Sequence, residues 1–280
     1  MSFRFSSLSA RQILGVAIFT LTCSFSWASP PTITPGSIVA ERIDLIRHGE
    51  SEDNPDAGKI VARLDGTLAP SKGKVLSGWN SASLTMLGVS QAVRAGEVLR
   101  GNEKEGVTKL TESLWLYSPL LRTRQTLSGV LLGARLADVS ALKIRPDTRL
   151  FERSAGDVTN LTWDEAATIW PEMKKGRDAA VFKQIEASYP NGESLAMVYR
   201  RASAAIDEAM RQERRIVVVS HELTIKALVA YLTRNALDNG DFAFKVENAK
   251  PITLVRKGEV WEIVTQSFGT DTLFGSFRTP

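Results

Sequence analysis

The chain contains two histidines, His48 and His221, and each directly follows a short apolar run. Residues 42–46 lead to the first histidine, and residues 215–219 lead to the second. The length of these runs predicts strands, and the unbroken isoleucine and valine of the second run indicates burial on both faces. Ligands bind at the carboxyl ends of strands in an open parallel sheet. We therefore expect the two histidines to face one another if their strands are neighbours.

Two arginines accompany these histidines. Arg47 directly precedes His48, and Arg122 follows a predicted strand at 113–117. A guanidinium fork matches two oxygens of a phosphoryl group and stays charged at any relevant pH. An isolated arginine is more often part of a solvated surface, but two arginines beside two histidines predict a compact anion site. A two-histidine metal site is disfavoured, because cationic neighbours repel a metal ion.

Five stretches, in this order along the chain, are similar to the motifs of the histidine phosphatase superfamily, also called phosphoglycerate-mutase-like. They are Leu45 to Ser51 with Asn54; Leu84 and Thr85 with Gly88, Gln91 and Ala92; Ser118 to Leu120 with Arg122, Thr123, Gln125 and Thr126; Arg149 to Glu152 with Gly156, Leu161 and Thr162; and Val218 to His221. Weaker similarities lie at 191–195 and at Asn248. The resemblance extends from Glu41 to about Val264.

The resemblance implies a role for each matching residue. His48 would be the nucleophile that attacks phosphorus and forms a phosphohistidine, so that one difficult displacement becomes two easier ones. Arg47, Arg122 and His221 would hold the non-bridging oxygens, and Asn54 would add a hydrogen bond. We therefore expect no metal and no cofactor.

Glu152 is the candidate proton donor to the leaving alkoxide. A carboxyl group needs a raised pKa to stay protonated near neutrality, and a nearby dianionic substrate would raise it. Asp157, Asp164 and Glu165 are alternatives, the last of them in a predicted helix capping box. Glu50 is expected to orient its neighbours rather than to transfer protons.

The sequence departs from the family pattern at two places. Glu222 follows the second histidine, where the family usually has a glycine whose amide can approach phosphate. A carboxylate there either points away or repels phosphate. The tryptophan segment 77–80 resembles a family segment that normally lies much closer to the nucleophile. The long segment 54–80 separates the two, and we expect either a lid at the active site or a solvated insertion.

Strands that alternate with helices predict an α/β fold: a three-layer sandwich with a mostly parallel central sheet flanked by helices. The resemblance implies the phosphoglycerate-mutase-like version of this fold. The predicted strands are 42–46, 113–117, 142–145 and 215–219, with a closing hairpin at 253–256 and 259–264. The predicted helices are 85–100, one from Ser118 and Pro119, one from Thr162, and 178–186, 194–211 and 222–235.

The first residues differ from the rest in composition. Arg4 and Arg11 precede an apolar run at 13–25, which is typical of a cleavable secretory signal. We expect a signal peptide at 1–28, a flexible leader at 29–40 and a histidine phosphatase domain at 41–280. The apolar run is shorter than the roughly 20 residues of a stable membrane-spanning helix.

Charge and cysteine content limit the partners of the mature chain. Without the two arginines of the signal, 33 basic and 31 acidic residues remain, a formal charge of +2. Net charge therefore gives no reason to expect a nucleic acid. The single cysteine, Cys23, lies in the expected signal, so we expect neither a disulfide nor a cysteine-bound metal.

These observations favour an exported phosphomonoesterase that acts on small phosphate esters, with no stable membrane insertion after the signal is cleaved. A phosphoglycerate-type mutase is one alternative, although export would separate it from cytoplasmic glycolytic substrates. A phosphoryl-binding protein that kept the pocket and lost turnover is the other, and Glu222 is its main support.

Overall fold

The computed structural model describes residues 38–56, 58–71, 73, 75–76, 78–103, 108–178, 185–235 and 245–264. The predicted signal peptide and most of the predicted leader lie outside these residues, as does most of the helix predicted at 178–186. Within the described ranges, no helix has the length and apolar character needed to cross a bilayer.

A six-stranded mixed sheet forms the centre of the domain, in the order β5-β4-β6-β1-β7-β8. Its first four strands are parallel to one another, and the last two pair antiparallel. The strands are β1 (Arg42–Arg47), β4 (Leu114–Tyr117), β5 (Lys143–Pro146), β6 (Arg215–Ser220), β7 (Ile252–Lys257) and β8 (Val260–Ile263). The structure confirms the predicted α/β architecture and its mostly parallel sheet.

Helices cover both faces of this sheet. They are α1 (Met86–Gly101), α2 (Leu121–Gly133), α3 (Trp163–Ile169), α4 (Leu195–Met210) and α5 (Glu222–Leu232). Val218 of β6 packs in a core cluster with residues of α4 and α5, whereas its neighbours Val217 and Val219 pack in a second cluster with residues of α1 and α2. Because successive side chains of a strand point to opposite faces, one valine run supplies both cores.

Part of the 54–80 segment is regular. It contains a two-stranded antiparallel hairpin, β2 (Ile60–Ala62) and β3 (Leu68–Pro70), which pair only with each other among the described strands. Ile60 and Leu68 of this hairpin are exposed. Both ends of the segment reach the cavity described below, so the hairpin projects from a segment whose two ends are anchored at the site.

A buried charge network stabilises the other end of the sheet, away from the histidines. Asp44 of β1 is fully buried and accepts hydrogen bonds from Arg215 of β6 at 3.0 and 3.1 Å. Arg42 and Thr253 donate to the same carboxylate. Partners on three adjacent strands compensate the cost of burying this charge. The network ties β6, β1 and β7 together in the register that places the histidines.

Candidate active site

The two histidines meet at the carboxyl ends of β1 and β6. These strands are parallel neighbours whose register pairs Arg47 with Ser220. His48 and His221 each follow that last pair, and their ring centroids lie 5.3 Å apart. Both side chains are buried. Residues 173 positions apart in the sequence therefore form one site.

The hydrogen bond of His48 defines which of its nitrogens is free to react. Nδ1 of His48 lies 2.8 Å from the carbonyl oxygen of Gly49. A carbonyl can only accept, so the proton is on Nδ1 and the lone pair of the neutral ring is on Nε2. Burial lowers the pKa of His48 well below its usual value, and the charges of Arg122 and Arg47 lower it further. The ring is therefore neutral near pH 7, as a nucleophile must be.

His221 is also held as a neutral ring. Its Nε2 lies 2.8 Å from the hydroxyl oxygen of Ser118, and its Nδ1 is buried without a hydrogen-bond partner. Burial lowers its pKa well below the usual value, with Arg122 and His48 as the next causes. When the Ser118 hydroxyl donates to Nε2, the proton of the neutral ring is on Nδ1. His221 then offers a hydrogen-bond donor to the site.

Arg122 is almost fully buried and holds the tryptophan segment against the site. Its Nη2 donates to the carbonyl oxygen of Gly78 at 2.8 Å, and its Nη1 donates to Asn80 Oδ1 at 3.0 Å. Its Nε is buried and has no hydrogen-bond partner. The segment that lies far from the nucleophile in sequence is thus bonded to Arg122 in the structure.

One guanidinium nitrogen of Arg47 donates a hydrogen bond to the protein, and another has no hydrogen-bond partner in the described part of the chain. Nη1 donates to the carbonyl oxygen of Val246 at 2.7 Å and lies 3.0 Å from Oε2 of Glu222. The buried Nε has no hydrogen-bond partner. These contacts fix the plane of the guanidinium while its Nε edge stays available.

Unsatisfied buried nitrogens are concentrated in this site. Among the described residues, four buried side-chain atoms lack a partner, and three of them are Nε of Arg47, Nε of Arg122 and Nδ1 of His221. Leaving a buried donor unsatisfied costs about 1–3 kcal/mol. The three nitrogens belong to residues whose rings or charges act on His48, and such a set can bind an oxyanion with several acceptor oxygens.

Glu152 is the carboxyl group of this site with a raised pKa. Burial is the main cause of the increase; Glu222 raises it further, while the amide of Arg153 and the charge of Arg122 oppose it. The neighbouring backbone is firmly held, because Arg201 and Trp79 both donate to the carbonyl oxygen of Glu152, at 3.0 and 2.6 Å. A raised pKa favours the protonated form that a general acid requires.

The alternative acids have other surroundings. Asp157 is exposed and accepts a hydrogen bond from Asn191. Glu165 completes the capping box of α3 with Thr162. Of the carboxylates considered for this role within the described ranges, Glu152 lines the central cavity, and Asp157, Asp164 and Glu165 do not.

Two asparagines shape the nucleophile loop. Oδ1 of Asn54 accepts from the amide and the hydroxyl of Ser51, at 2.9 and 3.2 Å. Asn248 donates to the carbonyl oxygen of His48 at 2.9 Å. Both asparagines also line the cavity.

Close packing explains two glycines of the motifs. A Cβ added to Gly49 would lie 2.3 Å from the carbonyl oxygen of Gly88, and one added to Gly88 would lie 2.1 Å from that of Glu50. Any side chain at either position would push α1 away from the nucleophile loop. Glu50 accepts a hydrogen bond from Thr85 at the start of α1, which joins the same two elements.

Glu222 neither points away from the site nor stands as an isolated charge. Its carboxylate lies 3.0 Å from Nη1 of Arg47 and 3.1 Å from Nζ of Lys226, one turn further along α5. These side chains are 13%, 22% and 11% exposed for Arg47, Glu222 and Lys226, so solvent screens the cluster only in part. The carboxylate therefore lies between two cations and contributes to the position of Arg47.

The site opens into a cavity of about 770 Å³. Its lining includes Arg47, His48 and Glu152, with Arg122 and His221 buried behind. Further lining residues are Glu50, Asp53, Asn54, Val75, Leu76, Gly78, Arg153, Ala155, Trp163, Tyr189, Glu222, Leu223, Lys226, Lys245 and Asn248.

Several contributors were not identified from the sequence. Ser118 lies in a recognised motif, but only its contact with His221 gives it a part in the site. Arg201 of α4 holds the acid loop through three carbonyl oxygens. Trp163 and Tyr189 line the cavity from a region that carried no signal for binding. Such contacts depend on long-range packing, which a local pattern does not encode.

The model of the histidine phosphatase superfamily (branch 1) matches residues 43–268 of this chain. A 2,3-bisphosphoglycerate-dependent phosphoglycerate mutase from Afipia carboxidovorans is 29% identical over 198 residues, which cover 68% of this chain and 80% of that protein. A phosphoglycerate mutase-like protein from Arabidopsis thaliana is 27% identical over 208 residues. That match covers 69% of this chain and 66% of the plant protein, slightly less than two thirds of its length.

A solved structure gives the same relationship. The mycobacterial glucosyl-3-phosphoglycerate phosphatase in complex with VO3 aligns with a TM-score of 0.61 and 25% identity. The alignment covers 80% of this chain and 98% of that protein. The relatives therefore include both phosphatases and mutases.

Proposed function

Because the chain belongs to the histidine phosphatase superfamily, we propose that it hydrolyses small phosphate monoesters through a phosphohistidine on Nε2 of His48. One observation carries the proposal: three buried, unsatisfied nitrogens belong to the residues that accompany a neutral histidine whose lone pair is on Nε2. That arrangement suits a tetrahedral oxyanion with a nucleophile beside it.

In the first step, Nε2 of His48 attacks phosphorus and the bond from phosphorus to the leaving oxygen breaks. Glu152 donates its proton to that oxygen, so an alcohol leaves rather than an alkoxide. Arg47, Arg122 and His221 donate hydrogen bonds to the non-bridging oxygens while charge redistributes.

In the second step, water attacks the phosphohistidine and the phosphorus–nitrogen bond breaks. The Glu152 carboxylate, now a base, takes a proton from the water. The products are inorganic phosphate and the starting form of His48. Burial raises the pKa of Glu152, and this direction favours a carboxyl group that holds a proton in the first step and takes one back in the second.

The proposed reaction is independent of metal. Two guanidinium groups supply the positive charge that a divalent cation provides in other phosphoryl-transfer sites. Among the residues that the structure describes, no group of three or more histidine, cysteine or carboxylate side chains is arranged to hold a metal ion. Activity is expected to survive a chelator such as EDTA.

The test is phosphate release from aryl and sugar phosphates by the wild type and by His48→Ala. The wild type is expected to turn over and the variant to lose at least about 10³-fold in kcat, as for loss of other covalent nucleophiles. Wild type quenched in alkaline denaturant should also carry an acid-labile, base-stable phosphoryl group. Equal rates for both proteins, or turnover without a trapped phosphohistidine, would contradict the mechanism.

A mutase is the second candidate, because relatives such as the 29% identical Afipia protein are mutases. A mutase returns the phosphoryl group from His48 to a second hydroxyl of the substrate before water reaches it. Formation of 2-phosphoglycerate from 3-phosphoglycerate, faster than release of inorganic phosphate, would favour this reading.

We also propose that the enzyme is exported. Arg4 and Arg11 followed by the apolar run 13–25 support a cleavable signal. Expressed at full length, the protein should be recovered outside the cytoplasm with Ser29 as its first residue. Retention of the first 28 residues on the purified protein would refute cleavage.

A further inference from the structure

The cavity is much larger than a phosphoryl group requires. Its volume of about 770 Å³ lies within the range of pockets that hold drug-sized ligands, about 300–1,000 Å³. A phosphoryl group at Arg47 and His48, two of the lining residues, would fill a small part of this space and leave the rest to the leaving group of the ester. The lining of the space therefore carries information about that group.

One wall of the cavity is apolar and aromatic. Trp163 and Tyr189 line it, with ring centroids 6.2 Å apart and ring planes tilted by 54°. Leu76 and Ala155 line the same space and belong to a separate hydrophobic cluster against which both rings pack. This cluster lies outside the two clusters of the sheet and forms its own small core beside the cavity.

Contacts with neighbouring groups hold both rings in place. The guanidinium of Arg153 lies 4.3 Å from the centre of the Tyr189 ring. That guanidinium is itself fixed by the carbonyl oxygens of Glu193 and Ala187, at 2.7 and 2.6 Å. Trp163 is the first residue of α3, whose start is fixed by a capping box. Because these contacts already fix the two rings, they lose little conformational entropy when a flat ligand binds against them.

Charged groups of both signs line the rest of the space. Lys226 and Lys245 contribute ammonium groups, Asp53 and Glu222 contribute carboxylates, and Asn248 contributes an amide. Hydroxyl groups can donate to a carboxylate and accept from an ammonium, so a mixed wall suits an uncharged polyol. A second strongly charged group on the leaving side would meet repulsion from one of the two signs.

We propose that Trp163 and Tyr189 form a leaving-group subsite for a sugar ring, so that the substrates are phosphate esters of cyclic sugars. The apolar face of the ring lies on the aromatic wall, and its hydroxyls face the mixed polar wall. This inference rests on the proposed phosphatase function and names the substrate class for the same site.

The test compares each hexose 6-phosphate with the hexitol 6-phosphate made by reducing it. The two esters share their carbon number and a primary phosphate, but only the sugar closes into a ring. Dissociation constants are measured by calorimetry in the His48→Ala background, where no turnover occurs. Glucose, mannose and galactose 6-phosphates form the panel, and phenyl phosphate serves as an aryl control.

The ring form of at least one sugar is expected to bind about tenfold more tightly than its open-chain partner, through stacking and reduced ordering cost. Adding Trp163→Ala should reduce this ratio to within about threefold, as estimated from the size of one aromatic contact. Trp163→Phe should keep the preference, and so should Ile169→Ala, a change at an exposed residue of the same helix. With His48 present, vanadate binding should stay within about twofold in all three variants, since none of these changes is at the phosphoryl site.

The inference is overturned if every ring and open-chain pair binds alike, or if the preference survives Trp163→Ala. It is also overturned if phenyl phosphate alone depends on Trp163, or if Trp163→Ala weakens vanadate as much as the sugars. Because these are binding measurements, they are separate from turnover. Phosphate release through His48 with no ring preference would leave the proposed function standing and remove only the subsite.

Discussion

Replacing Lys226 with methionine tests how the site accommodates a carboxylate where the family usually has glycine. Glu222 lies between two cations, at 3.0 Å from Arg47 and 3.1 Å from Lys226. A phosphoryl group bound at the Nε edge of Arg47 would have Glu222 on the opposite side of the guanidinium. In the wild type, Lys226 offsets the repulsion between that carboxylate and the phosphoryl group. Lys226→Met removes this compensation.

The size of the effect follows from the electrostatics. At about 7 Å and an effective dielectric constant between about 20 and 80, each unit of phosphoryl charge is repelled by about 0.6–2.4 kcal/mol. The side chains of Glu222 and Lys226 are 22% and 11% exposed, which places the site between these limits. A central value of about 1.4 kcal/mol corresponds to about tenfold weaker binding.

The assay is the inhibition constant of vanadate, a phosphoryl analogue, in a double-mutant cycle. Lys226→Met should weaken inhibition about tenfold, and Glu222→Gln should strengthen it by up to about tenfold, because it removes the repulsion and leaves Lys226 in place. The double variant should return to within about threefold of the wild type, since no uncompensated carboxylate remains. Urea unfolding of all four proteins shows whether the fold is intact.

Two results would refute this reasoning. If Lys226→Met left vanadate inhibition unchanged, the carboxylate would not act on the phosphoryl site. If the double variant were as weak as Lys226→Met, the lysine would contact the anion directly and Glu222 would be irrelevant to the loss.

Three further predictions concern the acid, the second histidine and the sheet. The profile of kcat/KM against pH should fall on its alkaline side as Glu152 loses its proton. Glu222→Gln should move that fall to lower pH, because Glu222 adds to the pKa increase that burial causes. If the alkaline fall stays at the same pH in Glu222→Gln, the two carboxyl groups are not coupled. Ser118→Ala should weaken vanadate inhibition about fivefold, which corresponds to the roughly 1 kcal/mol of one hydrogen bond. The reason is that the Ser118 hydroxyl no longer favours the proton on Nδ1 of His221. Unchanged inhibition would show that the tautomer of His221 does not depend on this hydroxyl. Asp44→Ala should reduce the free energy of unfolding in urea by about 3–5 kcal/mol, because it removes the carboxylate that pairs with the buried guanidinium of Arg215. A loss below about 1 kcal/mol would mean that the network contributes little to stability.

Much of the architecture could be predicted from local pattern. The strands at 42–46 and 215–219 and the helices at 85–100 and 194–211 differ from the observed elements by one or two residues at their ends. These segments are long or strongly apolar, and their periodicity reflects the face that they bury. The family assignment is also confirmed, since its motifs follow one another in order over most of the chain. The catalytic roles of the site residues stay predictions.

Other features could not be predicted locally. The hairpin at 60–62 and 68–70 lies in a segment with little periodicity, because Ile60 and Leu68 are exposed and bury no regular face. The sequence left open where the carboxylate of Glu222 points. Its contact with Arg47 depends on the orientation of two side chains from different strand ends. The aromatic wall of Trp163 and Tyr189 likewise arises from packing between distant segments.

The amino-acid order was sufficient to assign residue types to strand ends: a histidine with an arginine after one apolar run, and a second histidine after another. It left open whether those strands are neighbours, because pairing between β1 and β6 joins residues more than 170 positions apart. Strand order depends on the free energy of the whole core, including the buried Asp44 network. The same long-range packing buries three nitrogens without partners and brings residues of separate motifs together.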